Sequence, residues 1–156
     1  MATAANPLAI KDLVMVLADS KPYSRVLLRS MLLQLEPKAI HEVADGAAVL
    51  DAIYAFSPDI VILDWDLQGL GAREVLRMVR APGVIPNRDL PIVVVSSSGQ
   101  SGHVHEAIQL GAQQFMVRPI SPKMLGQRLR GLVTAARKAA RAYNIQAPRA
   151  PGTGAS

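Results

Sequence analysis

The chain has 156 residues, no cysteine and a formal net charge of +5. This length is typical of one domain, and the absence of cysteine excludes a disulfide framework and a metal site built on thiolates. Three scattered histidines disfavour a histidine metal centre, so any bound metal would be held by oxygen. No run of about 18 apolar residues occurs, and Lys11 and Asp12 interrupt the N-terminal apolar stretch. These features argue against a membrane span and a signal peptide and predict a cytoplasmic protein.

Five apolar runs of strand length recur along the chain, at residues 13–17, 39–43, 60–63, 92–95 and 115–117. Three of them, LVMVL, IVIL and IVVV, are continuous rather than alternating. A continuous apolar run is typical of a strand that helices cover on both faces.

Segments with helical spacing lie between and after these runs. Ser20 is predicted to cap a first helix that has Pro22 in its first turn and ends before Pro37. Four more helices are predicted at residues 47–56, 71–79, 101–110 and 121–143. This alternation predicts an α/β fold, a doubly wound, five-stranded parallel sheet with helices on both faces.

The two ends of the chain lack the pattern of a folded segment. Residues 1–10 are mostly small and featureless, and residues 144–156 form a basic stretch rich in Pro, Ala and Gly. We predict that both ends are disordered and that one domain occupies residues 11–143.

Polar residues follow the predicted strands at the points where those strands end. In an open parallel sheet such positions meet at one edge, where ligands bind. The residues are Asp19 after the first strand, Asp64 and Asp66 on either side of Trp65 after the third, Ser96 after the fourth, and Arg118 before Pro119 after the fifth. Carboxylates hold Mg²⁺, while a hydroxyl and a cation bind phosphoryl oxygens. The set therefore predicts phosphoryl transfer to a carboxylate.

With these landmarks in order, the chain from Asp12 to about Arg141 resembles the receiver domain of two-component response regulators. The resemblance implies a (βα)5 flavodoxin-like fold and a signalling role in a phosphorelay rather than an enzyme activity. It implies that Asp64 is the phosphoacceptor, Ser96 the switch hydroxyl, Phe115 the aromatic switch and Arg118 the cation that contacts the phosphoryl group. It also implies a Mg²⁺ ion bound by Asp19, Asp64 and the backbone carbonyl of Asp66, and often a cis Arg118-Pro119 peptide bond.

Four positions depart from the pattern of this family. The first acid of the pair after the first strand is Ala18, the lysine is Arg118, and a proline and a glycine beyond the phosphoacceptor are Gln68 and Ala72. Loss of the acid at position 18 is expected to weaken Mg²⁺ binding. Arginine at position 118 keeps the charge but replaces a compact ammonium by a planar guanidinium.

The positive charge gathers at the C-terminal end. Residues 1–106 contain all 12 acids and nine of the 17 Lys and Arg, whereas residues 107–156 contain eight Lys and Arg and no acid. On or beyond the last helix lie Lys123, Arg128, Arg130, Arg137, Lys138, Arg141 and Arg149. A solvated helix face, an acidic protein partner and nucleic acid are the alternatives, and nucleic acid is disfavoured because stacking aromatic residues are lacking.

The predicted function is that of a receiver that accepts a phosphoryl group on Asp64 from a sensor histidine kinase or phosphotransfer protein. It would signal to a downstream protein through the surface of helix four, strand five and helix five, which is commonly the output face in the family. No membrane partner is expected. Two alternatives stay open: a pseudo-receiver that binds proteins without phosphorylation, and a haloacid-dehalogenase-like phosphatase. The second is less favoured because those enzymes place their aspartate pair after the first strand.

Overall fold

The computed structural model describes residues 10–146, except for the side chains at positions 136, 137, 140, 141 and 143–146. The strands are β1 (Val14–Ala18), β2 (Ala39–Val43), β3 (Ile60–Asp64), β4 (Ile92–Ser96) and β5 (Gln114–Val117). The helices are α1 (Pro22–Gln34), α2 (Gly46–Phe56), α3 (Ala72–Arg80), α4 (Ser101–Gln109) and α5 (Pro122–Gln146). A 3-10 turn at Ile10–Asp12 precedes β1.

The five strands form one parallel sheet in the order β2-β1-β3-β4-β5. The connections reverse direction between β1 and β3, the point at which doubly wound sheets open a crevice beyond the carboxyl ends of their strands. The predicted fold class is therefore confirmed. Every residue of β3 and of β4 is buried, which explains why their sequences are continuously apolar up to the last position.

The sheet divides the buried side chains into two clusters, because successive residues of a strand point to opposite faces. On one face α1 and α5 pack against alternate residues of β1, β3 and β4. The predicted apolar side of the last helix lies in this cluster, with Leu125, Leu129, Leu132 and Val133 all buried. On the other face α2, α3 and α4 cover the remaining strand residues.

The helices on that second face approach closely at Gly46, the first residue of α2. A Cβ atom at this position would lie 2.0 Å from the carbonyl oxygen of Leu70 and 2.9 Å from a methyl group of Val75. Glycine is therefore required there by space, and its absence of a side chain brings the loop after β3 against α2.

Two details of the chain differ from the sequence-based expectation. Ser20 does not cap α1, because the cap position is Lys21 and no side chain bonds there. The Ser20 hydroxyl instead donates to the carbonyl of Ala44 at 2.8 Å and accepts from the Gln68 N–H at 2.7 Å, which ties three loops together. The other detail concerns the ends: Ile10 is buried and α5 continues to Gln146, while residues 1–9 and 147–156 lie outside the described part of the chain.

No helix within residues 10–146 is both long enough and apolar enough to cross a bilayer.

Candidate functional site

Asp19 and Asp64 lie at the carboxyl ends of the two central strands and expose no surface to solvent. Asp64 is the last residue of β3, and Asp19 directly follows β1, the strand that pairs with β3. The parallel register places Ala18 beside Leu63, so the two aspartates leave the sheet at neighbouring points. Two buried carboxylates so close together need positively charged or hydrogen-bonding partners.

The first partner is Arg118, whose guanidinium bridges the two carboxylates. Its Nη2 lies 3.1 Å from Asp19 Oδ2 and its Nη1 lies 3.4 Å from Asp64 Oδ1. The same Nη2 donates to Ser24 Oγ at 2.9 Å, so α1 also helps to hold the guanidinium. The Arg118-Pro119 peptide bond is cis, and the backbone N–H of Arg118 donates to the Ser96 carbonyl.

The second partner is Lys21, which the sequence analysis did not assign. Its Nζ lies 3.4 Å from Asp64 Oδ2, and its backbone N–H donates to Asp19 Oδ1 at 2.9 Å. Half of the Lys21 side chain is exposed, so the ammonium reaches the site from solvent. Lys21 lies two residues after Asp19, at the start of α1. This position could have indicated its place in the site, because a helix that begins at the sheet edge points its first side chains into the crevice.

The pKa of Asp64 is raised above its ordinary value. Burial of the carboxylate is the main cause, and the negative charge of Asp19 adds to it, while Lys21 and Arg118 act in the opposite direction. A raised pKa makes the ionised carboxylate more basic and hence a better nucleophile.

Ser96 is the buried last residue of β4, the strand next to β3. Its hydroxyl oxygen accepts a hydrogen bond from the backbone N–H of Ser98 at 3.0 Å, an interaction that leaves the hydroxyl proton for another acceptor. The structure therefore places Ser96, Asp64, Asp19 and Arg118 at the same edge of the sheet, as the sequence predicts.

Trp65 follows Asp64 and is buried beneath α3 and α4. The Arg73 guanidinium lies 4.5 Å above its ring, and Phe115 packs edge-on at a centroid distance of 6.3 Å. His103 of α4 lies at 6.0 Å, and its Nδ1 is buried without a hydrogen-bond partner among the described residues. The predicted aromatic position Phe115 thus faces inward and contacts the residue next to Asp64.

Arg73 also joins α3 to α4 through Glu106, since its Nε and Nη2 both donate to the carboxylate, the latter at 3.0 Å. This hydrogen bonding raises the pKa of Arg73 and lowers the pKa of Glu106. The pair and the Trp65 ring together connect the loop after Asp64 to α4.

The basic residues of α5 are exposed where their side chains are described, at Lys123, Arg128, Arg130 and Lys138. Arg128 donates to the side chain of Gln114 on β5 at 2.6 Å. The side chains of Arg137 and Arg141, and Arg149 as a whole, lie outside the described part of the chain.

Comparison with known proteins identifies the family. The model of the response regulator receiver domain matches residues 15–130. The chain belongs to the receiver domain family. Membership agrees with the fold, the order of the strand-end residues and the edge at which they meet, and it makes this domain a signalling module of the two-component type.

Two curated relatives illustrate the range of proteins that contain such a receiver. This chain is 32% identical over 111 residues to a protein-glutamate methylesterase/protein-glutamine glutaminase of Myxococcus xanthus, with 70% of the chain and 30% of that protein covered. It is 24% identical over 114 residues to the chemotaxis protein CheY of Pseudomonas aeruginosa, with 73% and 90% covered. The receiver thus spans under a third of the first relative and most of the second.

Solved structures show the same fold at low sequence identity. NtrX from Brucella abortus aligns with a TM-score of 0.77 at 21% identity, with 86% of this chain and 30% of that chain covered. The receiver domain of a sensor histidine kinase from Pseudomonas aeruginosa aligns with a TM-score of 0.69 at 20% identity, with 78% and 98% covered. That second structure has a magnesium ion coordinated in its active-site cleft.

In this receiver the residues predicted to bind magnesium are already in contact with other groups of the protein. Asp66 is exposed, and its carbonyl accepts from its neighbour Gln68 at 3.4 Å. An ion that bridged Asp19 Oδ2 and Asp64 Oδ1 would take the place of the Arg118 guanidinium. As arranged, these residues do not fit a Mg²⁺ ion.

Proposed function

We propose that this receiver accepts a phosphoryl group on Asp64 from a sensor histidine kinase or a phosphotransfer protein. The observation that carries the proposal is the setting of Asp64: a buried carboxylate at the end of a central strand, with the cationic groups of Arg118 and Lys21 each 3.4 Å from one of its oxygens. Ser96 ends the neighbouring strand and adds a hydroxyl.

The chemistry requires a nucleophile and donors for the phosphoryl oxygens. A carboxylate oxygen of Asp64 attacks the phosphorus of a phosphohistidine; the P–O bond forms, the P–N bond breaks, and the imidazole nitrogen leaves with the electron pair. The transferred phosphoryl group brings negative charge close to Arg118 and Lys21. Charge-assisted hydrogen bonds from these two cations to the phosphoryl oxygens stabilise that charge. The Ser96 hydroxyl donates to a further phosphoryl oxygen.

A groove beside Arg118 offers a docking surface for the phosphodonor protein. It has a volume of about 550 Å³ and lies between α1 and the segment after β5. Its apolar lining includes Tyr23, Leu27 and Ile120, and Tyr23 is 78% exposed. An apolar groove with a guanidinium in its wall suits a protein that must bring a phosphorylated side chain to this edge of the sheet.

The output surface is proposed to be the face formed by α4, β5 and α5. Among the side chains that the structure describes, these elements expose the large apolar residues Ile108, Val117 and Met124. The exposed Lys123 and Arg128 on α5 add positive charge, which suits an acidic protein partner. Phosphorylation would reposition Ser96 and Phe115 and so shift the population of conformers that this partner binds.

Labelling with a radioactive phosphodonor tests the proposal. Wild type and the exposed-acid control Asp51→Asn are expected to take up label as an acyl phosphate that hydroxylamine removes, whereas Asp64→Asn takes up none. Circular dichroism would verify that the variants are folded. Equal labelling of Asp64→Asn and wild type would show that Asp64 is not the acceptor.

A second candidate function is favoured by Ala18 and by the pairing of both buried carboxylates with cations. In that case the domain is a pseudo-receiver that binds its partner without phosphorylation. It would bind the same downstream protein with equal affinity before and after treatment with phosphodonor, and Asp64→Asn would leave the affinity unchanged.

A further inference from the structure

We propose that Arg118 and Lys21 take the place of a divalent cation, so that Asp64 is phosphorylated without Mg²⁺. The inference rests on the proposed function of Asp64 as phosphoacceptor and concerns how the same site neutralises charge. It makes Lys21, which the predicted set of site residues does not include, a catalytic residue that contacts the reacting carboxylate.

The protein itself provides a donor to each oxygen of the two buried carboxylates. Asp19 Oδ1 accepts from the Lys21 backbone N–H at 2.9 Å, and Asp19 Oδ2 is 3.1 Å from Arg118 Nη2. Asp64 Oδ1 lies 3.4 Å from Arg118 Nη1, and Asp64 Oδ2 lies 3.4 Å from Lys21 Nζ. Each of the four carboxylate oxygens therefore has a protein N–H or ammonium group within 3.4 Å.

The charges at this edge of the sheet are balanced. Two carboxylates face one guanidinium and one ammonium, so the site as built is neutral. Ala18, which is fully buried, stands where the receiver family has a further acid. A third carboxylate would leave the site negative and favour a divalent cation, whereas with alanine the chain's own cations suffice.

The contacts around the Arg118 guanidinium differ in length. Arg118 is held by Ser24 at 2.9 Å and by Asp19 at 3.1 Å, but its contact with Asp64 is 3.4 Å. The closer contacts fix the position of the guanidinium, and the longer one leaves the Asp64 oxygen able to attack phosphorus. The guanidinium fixed in this way keeps Nη1 beside Asp64, where it can donate to an oxygen of the phosphoryl group.

Phosphoramidate labelling of the full chain in EDTA and in millimolar Mg²⁺ tests the inference. Asp64 displaces ammonia from the phosphoryl group: the P–O bond forms and the P–N bond breaks, with the electron pair leaving on nitrogen. The initial rates in the two conditions are expected to agree within about threefold. If Mg²⁺ were needed, its removal by EDTA would lower the rate about a hundredfold or more, which is the usual cost of losing one group that stabilises charge in the transition state. Labelling that requires Mg²⁺ would overturn this inference and leave the proposed function standing. No labelling of the folded protein in either condition would overturn both.

Two variants separate a chemical role of the cations from a structural one. Lys21→Met removes the ammonium and is expected to slow labelling about a hundredfold or more, in EDTA and in Mg²⁺ alike, because Arg118 still lies between the two carboxylates. Arg118→Lys shortens the cation so that it no longer bridges both carboxylates, and labelling is expected to become dependent on Mg²⁺. Lys38→Met, at the opposite end of β2, is the control and should behave like wild type. Mg²⁺-independent labelling in both site variants at the wild-type rate would contradict the assignment.

Calorimetric titration with MgCl₂ gives a readout apart from labelling. Wild type is expected to show no saturable binding at millimolar Mg²⁺, and Arg118→Lys is expected to show it, because the bridging guanidinium no longer occupies the position between the carboxylates. Saturable millimolar binding by wild type would overturn the inference.

Discussion

The surroundings of Asp64 disfavour the charged form of its side chain. Burial and the neighbouring Asp19 raise its pKa, and the contacts with Lys21 and Arg118 offset this only in part. Because the pKa in the folded state lies above that in the unfolded chain, the carboxyl group favours folding most where it is protonated. This contribution is lost as the pH rises through the folded-state pKa. The site thus keeps a reactive carboxylate at a cost in stability.

The cost of the Asp64 carboxylate in free energy of unfolding can be measured by substitution. Asp64→Asn should increase the free energy of unfolding at neutral pH by on the order of 1 kcal/mol, because a neutral amide avoids the burial of charge. The gain should disappear as the pH falls below the ordinary Asp range, near 4, where the wild-type carboxyl is also protonated. Urea denaturation followed by Trp65 fluorescence at several pH values measures both effects.

The exposed-acid variant Asp51→Asn is the matched control and should stay within about 0.5 kcal/mol of wild type. A lower stability of Asp64→Asn than of wild type at neutral pH would mean that the contacts with Arg118 and Lys21 outweigh the burial of the carboxylate.

Among the secondary-structure elements, α3 and α4 are joined by the Arg73–Glu106 pair above Trp65. Both side chains are about two-fifths exposed, at 39% and 38%. The contact links the loop that follows Asp64 to the first element of the proposed output surface. If α4 moves on phosphorylation, the contact between Arg73 and Glu106 must either change or move together with the helix.

A double-mutant cycle with Arg73→Gln and Glu106→Gln is expected to give a small favourable coupling that falls at high salt. The lowered pKa of Glu106 means that this coupling is present above the ordinary Glu range and is lost as the pH falls through the folded-state pKa. Arg73→Gln should also change the emission of Trp65, since the guanidinium leaves the ring.

The Glu74–Arg77 pair is the control, because it lies within α3 at 4.0 Å and does not reach α4. Its coupling should be smaller, and substitutions in it should leave Trp65 emission unchanged. Equal coupling in both pairs would argue against a specific link between α3 and α4.

In the molecule as a whole, one sheet carries two apolar clusters that touch different helices. Val61 and Ile62 are adjacent on β3 and lie in opposite clusters. Since both clusters depend on the same strands, loss of packing on one face should destabilise the other. We therefore expect the domain to unfold as one cooperative unit.

Ile62→Val, on the face of α1 and α5, should lower the free energy of unfolding by about 0.5–1.5 kcal/mol. The midpoint measured by Trp65 fluorescence, which reports the opposite face, should fall as much as the midpoint measured by far-UV circular dichroism. Val61→Ala, on the face of Trp65, serves as the reciprocal variant and should also shift both midpoints together. Separate transitions would show that the two faces unfold independently.

The five strands, the five helices and the set of residues at the strand ends were predictable from the pattern of the sequence. The reason is physical: strands buried on both faces must be continuously apolar, and the residues that follow parallel strands meet at one edge. Asp19, Asp64, Ser96 and Arg118 are found there, and the predicted family agrees with the comparisons. The prediction that Ser20 caps α1 was wrong. The Ser20 hydroxyl instead bonds to Ala44 and Gln68 in two other loops, and a capping rule that considers only neighbouring residues in the chain does not include such partners.

The pairing of the charges in the site depends on the packing of the fold and could not be predicted from the sequence. Arg118 and Asp19 are 99 positions apart, and Arg118 and Asp64 are 54 apart. Whether a guanidinium reaches one carboxylate or bridges two depends on the positions of three strand ends and of Ser24 on α1. No periodicity or motif encodes those distances. The same holds for Lys21, because only the packing of α1 beside the sheet brings its ammonium to Asp64.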